Sequence, residues 1–274
     1  MTERIVERDG VRLAVEEAGP ADGAPVVLLH GLTATRRYVV MGSKALERGG
    51  HRVISYDARG HGRSSPRKPY RYQELAEDLL ALLDACGVER AVLAGASMGA
   101  HTLLRVALDA PERVAGVVAI TPAFDPDVPP NLERWDALAH GLRRDGIDGF
   151  IAACRVEEEV PEAWADTVRT VLRQRMAQHA DLRAVADALQ ELPRSQPFAS
   201  LDELRAIAVP TVVVADRDEA DPGHPLAVGE AYAAAIPGAR LVVEQPGRSP
   251  LAWQGGQLSR LVAELAAQAL PAAR

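Results

Sequence analysis

Short apolar, β-branched runs closed by turn residues recur along most of the chain. They read ERIVE near the start, then VRLAVEE, APVVLLH over 24–30, HRVISYD over 51–57, RAVLAGAS over 90–97 and VAGVVAI over 114–120. After a gap come VPTVVVAD over 209–216 and ARLVVEQ over 239–245. Runs of this kind mark strands covered on both faces, as parallel strands are. Between them the period lengthens. Tyr72, Leu75, Leu79, Leu80, Leu83 and Cys86 form one stripe across 70–86, and Gly87 supplies a stop. Near the end Leu258, Leu261, Val262 and Leu265 repeat the i, i+3, i+4, i+7 spacing. Strand and helix in alternation predict an α/β fold, with helices on both faces of one sheet.

The alternation breaks over 127–199. This stretch opens with the turn DPDVPP and then reads as helix only; Trp164, Val168, Leu172 and Met176 recur at four-residue steps after Pro161. Such an insertion is expected to sit as a helical cap over the carboxyl ends of the strands, where α/β sheets bind ligands. The expected organisation is therefore a core of residues 1–126 and 200–274, with a cap of 127–199 whose Trp135 and Trp164 line the pocket.

Composition removes several function classes. The 274 residues carry a net charge of −7, which argues against a nucleic-acid or anionic-membrane partner. No uncharged apolar run reaches the ~18 residues of a membrane span. The two cysteines, Cys86 and Cys154, are too few for a disulfide framework and fit reduced thiols in a cytoplasmic protein. No HExxH, P-loop or G-x-G-x-x-G at a strand–helix turn is present, so neither a metal nor a nucleotide cofactor is expected. The expected partner is a small acyl or anionic molecule.

The chemistry concentrates at Gly95-Ala96-Ser97-Met98-Gly99. By itself G-x-S-x-G is weak, but here it follows a strand and opens the helical run MGAHTLLRVALDA. That context defines a nucleophile elbow: a turn too tight for side chains at the glycines, which lifts the serine hydroxyl above the sheet. His30-Gly31 ends another strand, and a glycine there is expected to let the chain turn and aim a backbone N–H at the serine. Leu32 and Met98 would then supply the two amide donors of an oxyanion hole. The segment YDARGHGRS over 56–64 reads as a turn built on a structural aspartate.

LLHG, YDARGHGRS, GASMGA and VVVADRDEADP, in this order and with a helical insertion between the sixth and seventh strands, resemble the α/β-hydrolase superfamily over nearly the whole chain. The resemblance implies a mostly parallel eight-stranded sheet flanked by helices, a serine nucleophile at Ser97, and a triad acid after the seventh strand. Asp218 matches that acid, with Asp216 as the alternative. A serine at 97 sets the chain apart from the epoxide-hydrolase and dehalogenase branches, which carry an aspartate there.

One position departs from the family. The triad histidine is expected after the eighth strand as G-H-x-P, and here the stretch reads Gly247-Arg248-Ser249-Pro250. An arginine keeps its proton at every accessible pH and cannot accept one from Ser97. Of the seven histidines, His224 is the best placed substitute base, six residues beyond Asp218. His101 is expected to pack under the sheet, His140 to reach down from the cap, and His30 to brace its turn. His51, His61 and His179 read as structural or solvated. Two principal functions follow: a cofactor-independent serine hydrolase of small esters or thioesters with an atypical triad, or a non-hydrolytic binding protein in which Arg248 anchors an anion. A lyase or acyltransferase is a third.

Overall fold

The computed structural model describes residues 1–217, 221–245 and 253–270. Eight strands, β1 (Thr2–Arg8), β2 (Val11–Ala18), β3 (Pro25–Leu29), β4 (Arg52–Tyr56), β5 (Ala91–Ala96), β6 (Val114–Ile120), β7 (Thr211–Ala215) and β8 (Arg240–Val243), form one sheet. Their order across it is β1-β2-β4-β3-β5-β6-β7-β8. β2 runs antiparallel to both β1 and β4, and all other pairings are parallel. This is the mostly parallel eight-stranded α/β sheet that the sequence pattern predicts.

The strands are apolar throughout because both faces are covered. Val27 and Leu29 enter one buried cluster while Val26 and Leu28, their neighbours in β3, enter the other. Side chains of period two thus feed two cores from a single strand. On the larger side lie α2 (Tyr72–Ala85), α3 (Met98–Asp109) and α8 (Leu226–Ala235); on the smaller side lie α1 (Ala45–Arg48) and α9 (Gly255–Ala269). The stripe read from 70–86 is the buried face of α2, with Leu75, Leu79, Leu82 and Leu83 all inside. Among the described residues no helix is long and apolar enough to cross a membrane.

Between β6 and β7 the chain holds α4 (Leu132–Ala153, broken at Gly146), α5 (Val156–Glu159), α6 (Glu162–Met176) and α7 (Leu182–Glu191), and no strand. Their inner faces, including Leu138, Phe150, Met176 and Leu189, join the larger core. The segment after α6 is tied to the sheet side. Ala180 N–H donates to Gly62 O at 2.8 Å, and Gly62 N–H donates to His179 Nδ1 at 2.9 Å.

α3 packs closely against β3. A Cβ added at Gly99 would lie well inside van der Waals contact with the carbonyl oxygen of Leu29, and one at Gly95 would collide with the Gly99 backbone. Both obstacles are backbone atoms, so neither can rotate away. Gly99→Ala is expected to lower stability by about 1–3 kcal/mol or more, the cost of overpacking a close-packed interior. Chemical denaturation at neutral pH measures it, and an unchanged midpoint would contradict so close an approach.

Candidate active site

That close approach fixes the geometry of Ser97. The residue sits between β5 and α3 with φ 50° and ψ −112°, a backbone conformation that a non-glycine residue adopts only when its surroundings impose it. Its N–H donates to Ile120 O at 2.9 Å and its carbonyl accepts from His101 N–H at 3.0 Å, so the strained turn is held from both sides. The Ser97 hydroxyl makes no hydrogen bond to any described residue.

Gly31 behaves differently from the expectation. Its φ is not in the left-handed region, and an added Cβ would meet only ordinary contacts, 3.5 Å to Ala96 O and 3.6 Å to Ser97 Cβ. The glycine is not needed for the turn. What it does is leave the space beside Ser97 Cβ empty. The chain after it carries Leu32, and both Leu32 and Met98 are buried. Among the described residues neither of their backbone N–H groups has an acceptor, although buried amides nearly always find one.

Three histidines brace this loop from behind. His30 Nε2 accepts from Ala58 N–H at 2.9 Å, which leaves Nδ1 to donate to Gly31 O at 2.8 Å. His61 Nε2 lies 2.6 Å from Leu32 O, with Nδ1 2.9 Å from Arg59 O. His179, whose Nδ1 accepts from Gly62, turns Nε2 toward Thr33 O at 3.3 Å. Their ring centroids are spaced 5.2 and 5.6 Å apart in the order His30, His61, His179. His61 and His179 are therefore buried framework residues, not solvated ones. Asp57, the aspartate of YDARGHGRS, has the structural role expected. Its carboxylate accepts from Arg36 N–H at 2.9 Å and Arg63 N–H at 3.0 Å, and pairs with the Arg36 guanidinium.

The candidate bases separate clearly. His101 is buried, and its Nε2 accepts from the N–H groups of Ala123 and Phe124 at 3.0 and 3.1 Å while Nδ1 meets the Tyr72 hydroxyl at 3.0 Å. Both nitrogens are engaged away from the serine. His140 is exposed on α4 and does not reach into a pocket. His224 stands in the turn before α8, where its Nδ1 lies 2.8 Å from an Asp221 carboxylate oxygen. Burial opposes a charge on this ring, but Asp221 and Asp216 outweigh it and raise the pKa above the ordinary histidine value. The ring lies within electrostatic reach of His101, one turn beyond Ser97, and of Arg175 in α6.

Of the two candidate acids, Asp218 lies outside the described residues, as does Arg248. Asp216 follows β7, with Oδ1 buried and unpartnered among the described residues. Burial first, then the nearby Asp221 charge, push its pKa up to about 7. The carboxylate that contacts a histidine here is Asp221, which the sequence reading passed over. The only local signal for it was the three-residue spacing of Asp221 and His224 in a proline- and glycine-bearing turn. Trp135 packs on the larger core, and Trp164 is partly buried on α6.

A family model described as the alpha/beta hydrolase fold matches residues 24–162. The chain belongs to the α/β-hydrolase fold family. A Variovorax paradoxus protein provisionally named carbamate hydrolase RutD is 32% identical over 76% of this hydrolase-fold chain and 79% of its own length. The 3-oxoadipate enol-lactonase 1 of Acinetobacter baylyi is 28% identical, covering 82% of each chain. Among solved structures, a thermophilic esterase from Thermogutta terrifontis superposes with a TM-score of 0.76 at 27% identity, over 98% of this chain and 97% of that one.

The buried rings make stability depend on pH. Burial pushes His30 and His101 down to about 3 and His179 to about 4, with His61 also lowered. The unfolded chain protonates such rings near 6.5, so their contribution is complete above pH 6.5 and falls away as pH drops toward 3. Asp216 has the opposite sign, because its folded form holds a proton up to about pH 7 that the unfolded form releases near 4. The histidines outnumber it, so unfolding between pH 5 and 6 is expected to take up about two protons. Tm should fall from pH 7 to pH 5, and Asp216→Asn should steepen the fall. A flat profile in wild type would contradict the burial of these rings.

Proposed function

We propose that this chain is a serine hydrolase of small esters, thioesters or lactones, with Ser97 as nucleophile and a general base drawn from the turn after β7. The observation that carries the reading is the imposed conformation of Ser97 beside the backbone N–H groups of two buried residues, Leu32 and Met98, which have no acceptor among the described residues. A strained serine at a helix N-terminus with unpaired donors next to it is what acyl transfer requires. The relatives named enol-lactonase and esterase attack the same kind of acyl carbon.

In this reading Ser97 Oγ attacks the acyl carbon while its proton passes to His224 Nε2, directly or through one water. The carbonyl oxygen takes the negative charge between the Leu32 and Met98 N–H groups. Collapse expels the alcohol, thiol or ring oxygen, which receives that proton from His224. Water then attacks the acyl-enzyme, gives its proton to His224 and releases the acid, and Ser97 recovers its hydrogen. Asp221, at 2.8 Å from Nδ1, orients the ring and stabilises its cation. The inserted helices over 127–199 act as the cap that shapes the acyl pocket. Cytoplasmic operation suits two unpaired thiols, Cys86 and Cys154.

The second reading, a non-hydrolytic binder, is favoured by Arg248 in the sequence position where the family keeps its histidine. Turnover separates the two. The intact chain is expected to hydrolyse short activated esters, and Ser97→Ala to lower kcat/KM by about 10³-fold or more. Arg248→Ala should leave hydrolysis measurable. Absence of turnover in the wild type, with Ser97 unlabelled by a fluorophosphonate, would remove the hydrolase reading.

A further inference from the structure

A half-buried cation stands beside the same loop, and among the described residues it has no counter-ion. Arg175, in the last turn of α6, reaches from the inserted helices to the segment that follows Leu32, where its Nη2 donates to Thr33 Oγ1 at 2.9 Å. Its guanidinium carbon lies 6.0 Å from the centre of the Tyr38 ring. Nε is sealed from solvent and has no hydrogen-bond partner. Among the described residues no carboxylate lies within ion-pair distance, although Asp221 is near enough to act on it electrostatically.

Few of the donors of this arginine are used. A guanidinium carries five donors in a planar fork, and when desolvated it is normally matched by a carboxylate. Tying α6 to the core does not account for it. His179 Nε2 already faces Thr33 O, and Ala180 N–H already bonds Gly62 O, three and four residues beyond the end of α6. One donor of Arg175 is used on Thr33, and Nε is held out of solvent and unpaired among the described residues, next to the proposed oxyanion loop.

We propose that Arg175 is the specificity-determining residue of this site and takes a carboxylate carried on the acyl part of the substrate. The inference rests on the hydrolase reading above and deepens it. Arg175 grips the residue after Leu32, so the bound anion sits a short spacer away from the carbonyl under attack. The substrate class is therefore the half-ester or lactone of a short dicarboxylic acid. A planar carboxylate matches the guanidinium fork better than a point anion does.

The test compares two esters of one acyl chain, p-nitrophenyl hydrogen glutarate and its methyl ester, which differ in the distal charge. Wild type is expected to prefer the free carboxylate by about 10- to 100-fold in kcat/KM, the worth of one charge-assisted hydrogen-bonded contact. Arg175→Met should collapse that ratio toward one, and Arg175→Lys should keep part of it. No preference in wild type, or a preference that survives Arg175→Met, overturns the proposal. If neither ester turns over, the hydrolase reading has failed, and calorimetry with glutarate still decides on Arg175. Saturable binding lost in a folded Arg175→Met variant supports the site, and no binding to wild type removes it.

Discussion

The site depends on how closely the first turn of α3 can approach the carbonyl of Leu29. Gly99 permits the contact, Gly95 permits the return of the chain over Gly99, and Ser97 between them is left with a positive φ. Nothing local rewards that conformation, since the hydroxyl caps no helix amide. It persists because strands β3, β5 and β6, buried on both faces, hold the two ends of the turn in place. A rigid sheet thus carries the strain of one half-buried residue, a common arrangement where chemistry is done.

Around this turn the polar groups divide into two electrostatic environments. Behind the loop of residues 30–33 the desolvated imidazoles serve as hydrogen-bonding struts, and a proton added to His30 Nε2 or His179 Nδ1 would face a backbone donor. On the side of the inserted helices the groups are charged or titrate near neutrality: Asp221 with His224, Asp216 and Arg175. The proposed catalytic and recognition roles all fall in the second environment. A base must be able to change its charge at working pH, and His224, drawn upward by Asp221, is the ring proposed for that role.

The sheet was legible in the sequence because strands buried on both faces leave uninterrupted apolar runs, and all eight of those runs became strands. The elbow was legible because glycine spacing reports a backbone collision that no other residue survives. Gly31 shows where that logic overreaches: the residue conserves space beside Ser97, and an open space leaves no conformational signature. Asp221 and Arg175 were not legible. Asp221 is one acid among several in DRDEADP, and Arg175 is one of 31 basic residues; only the folding of α6 over residue 33 distinguishes it. Local patterns encode elements and turns, whereas partners far apart in the chain emerge from packing.

The account turns on whether a serine elbow lacking a histidine at position 248 draws its base from the turn after β7. The direct measurement is the rate at which a fluorophosphonate captures Ser97 as a function of pH, in wild type and in His224→Gln. Deprotonated imidazole is the active form, so the wild-type rate should rise through one ionisation centred above 6.5, the ordinary histidine value. Asp221→Asn should move that midpoint down, because the carboxylate that stabilises the cation is gone. His224→Gln should abolish the step and slow capture by about 10²- to 10⁴-fold. An unchanged rate and profile in His224→Gln would contradict the account.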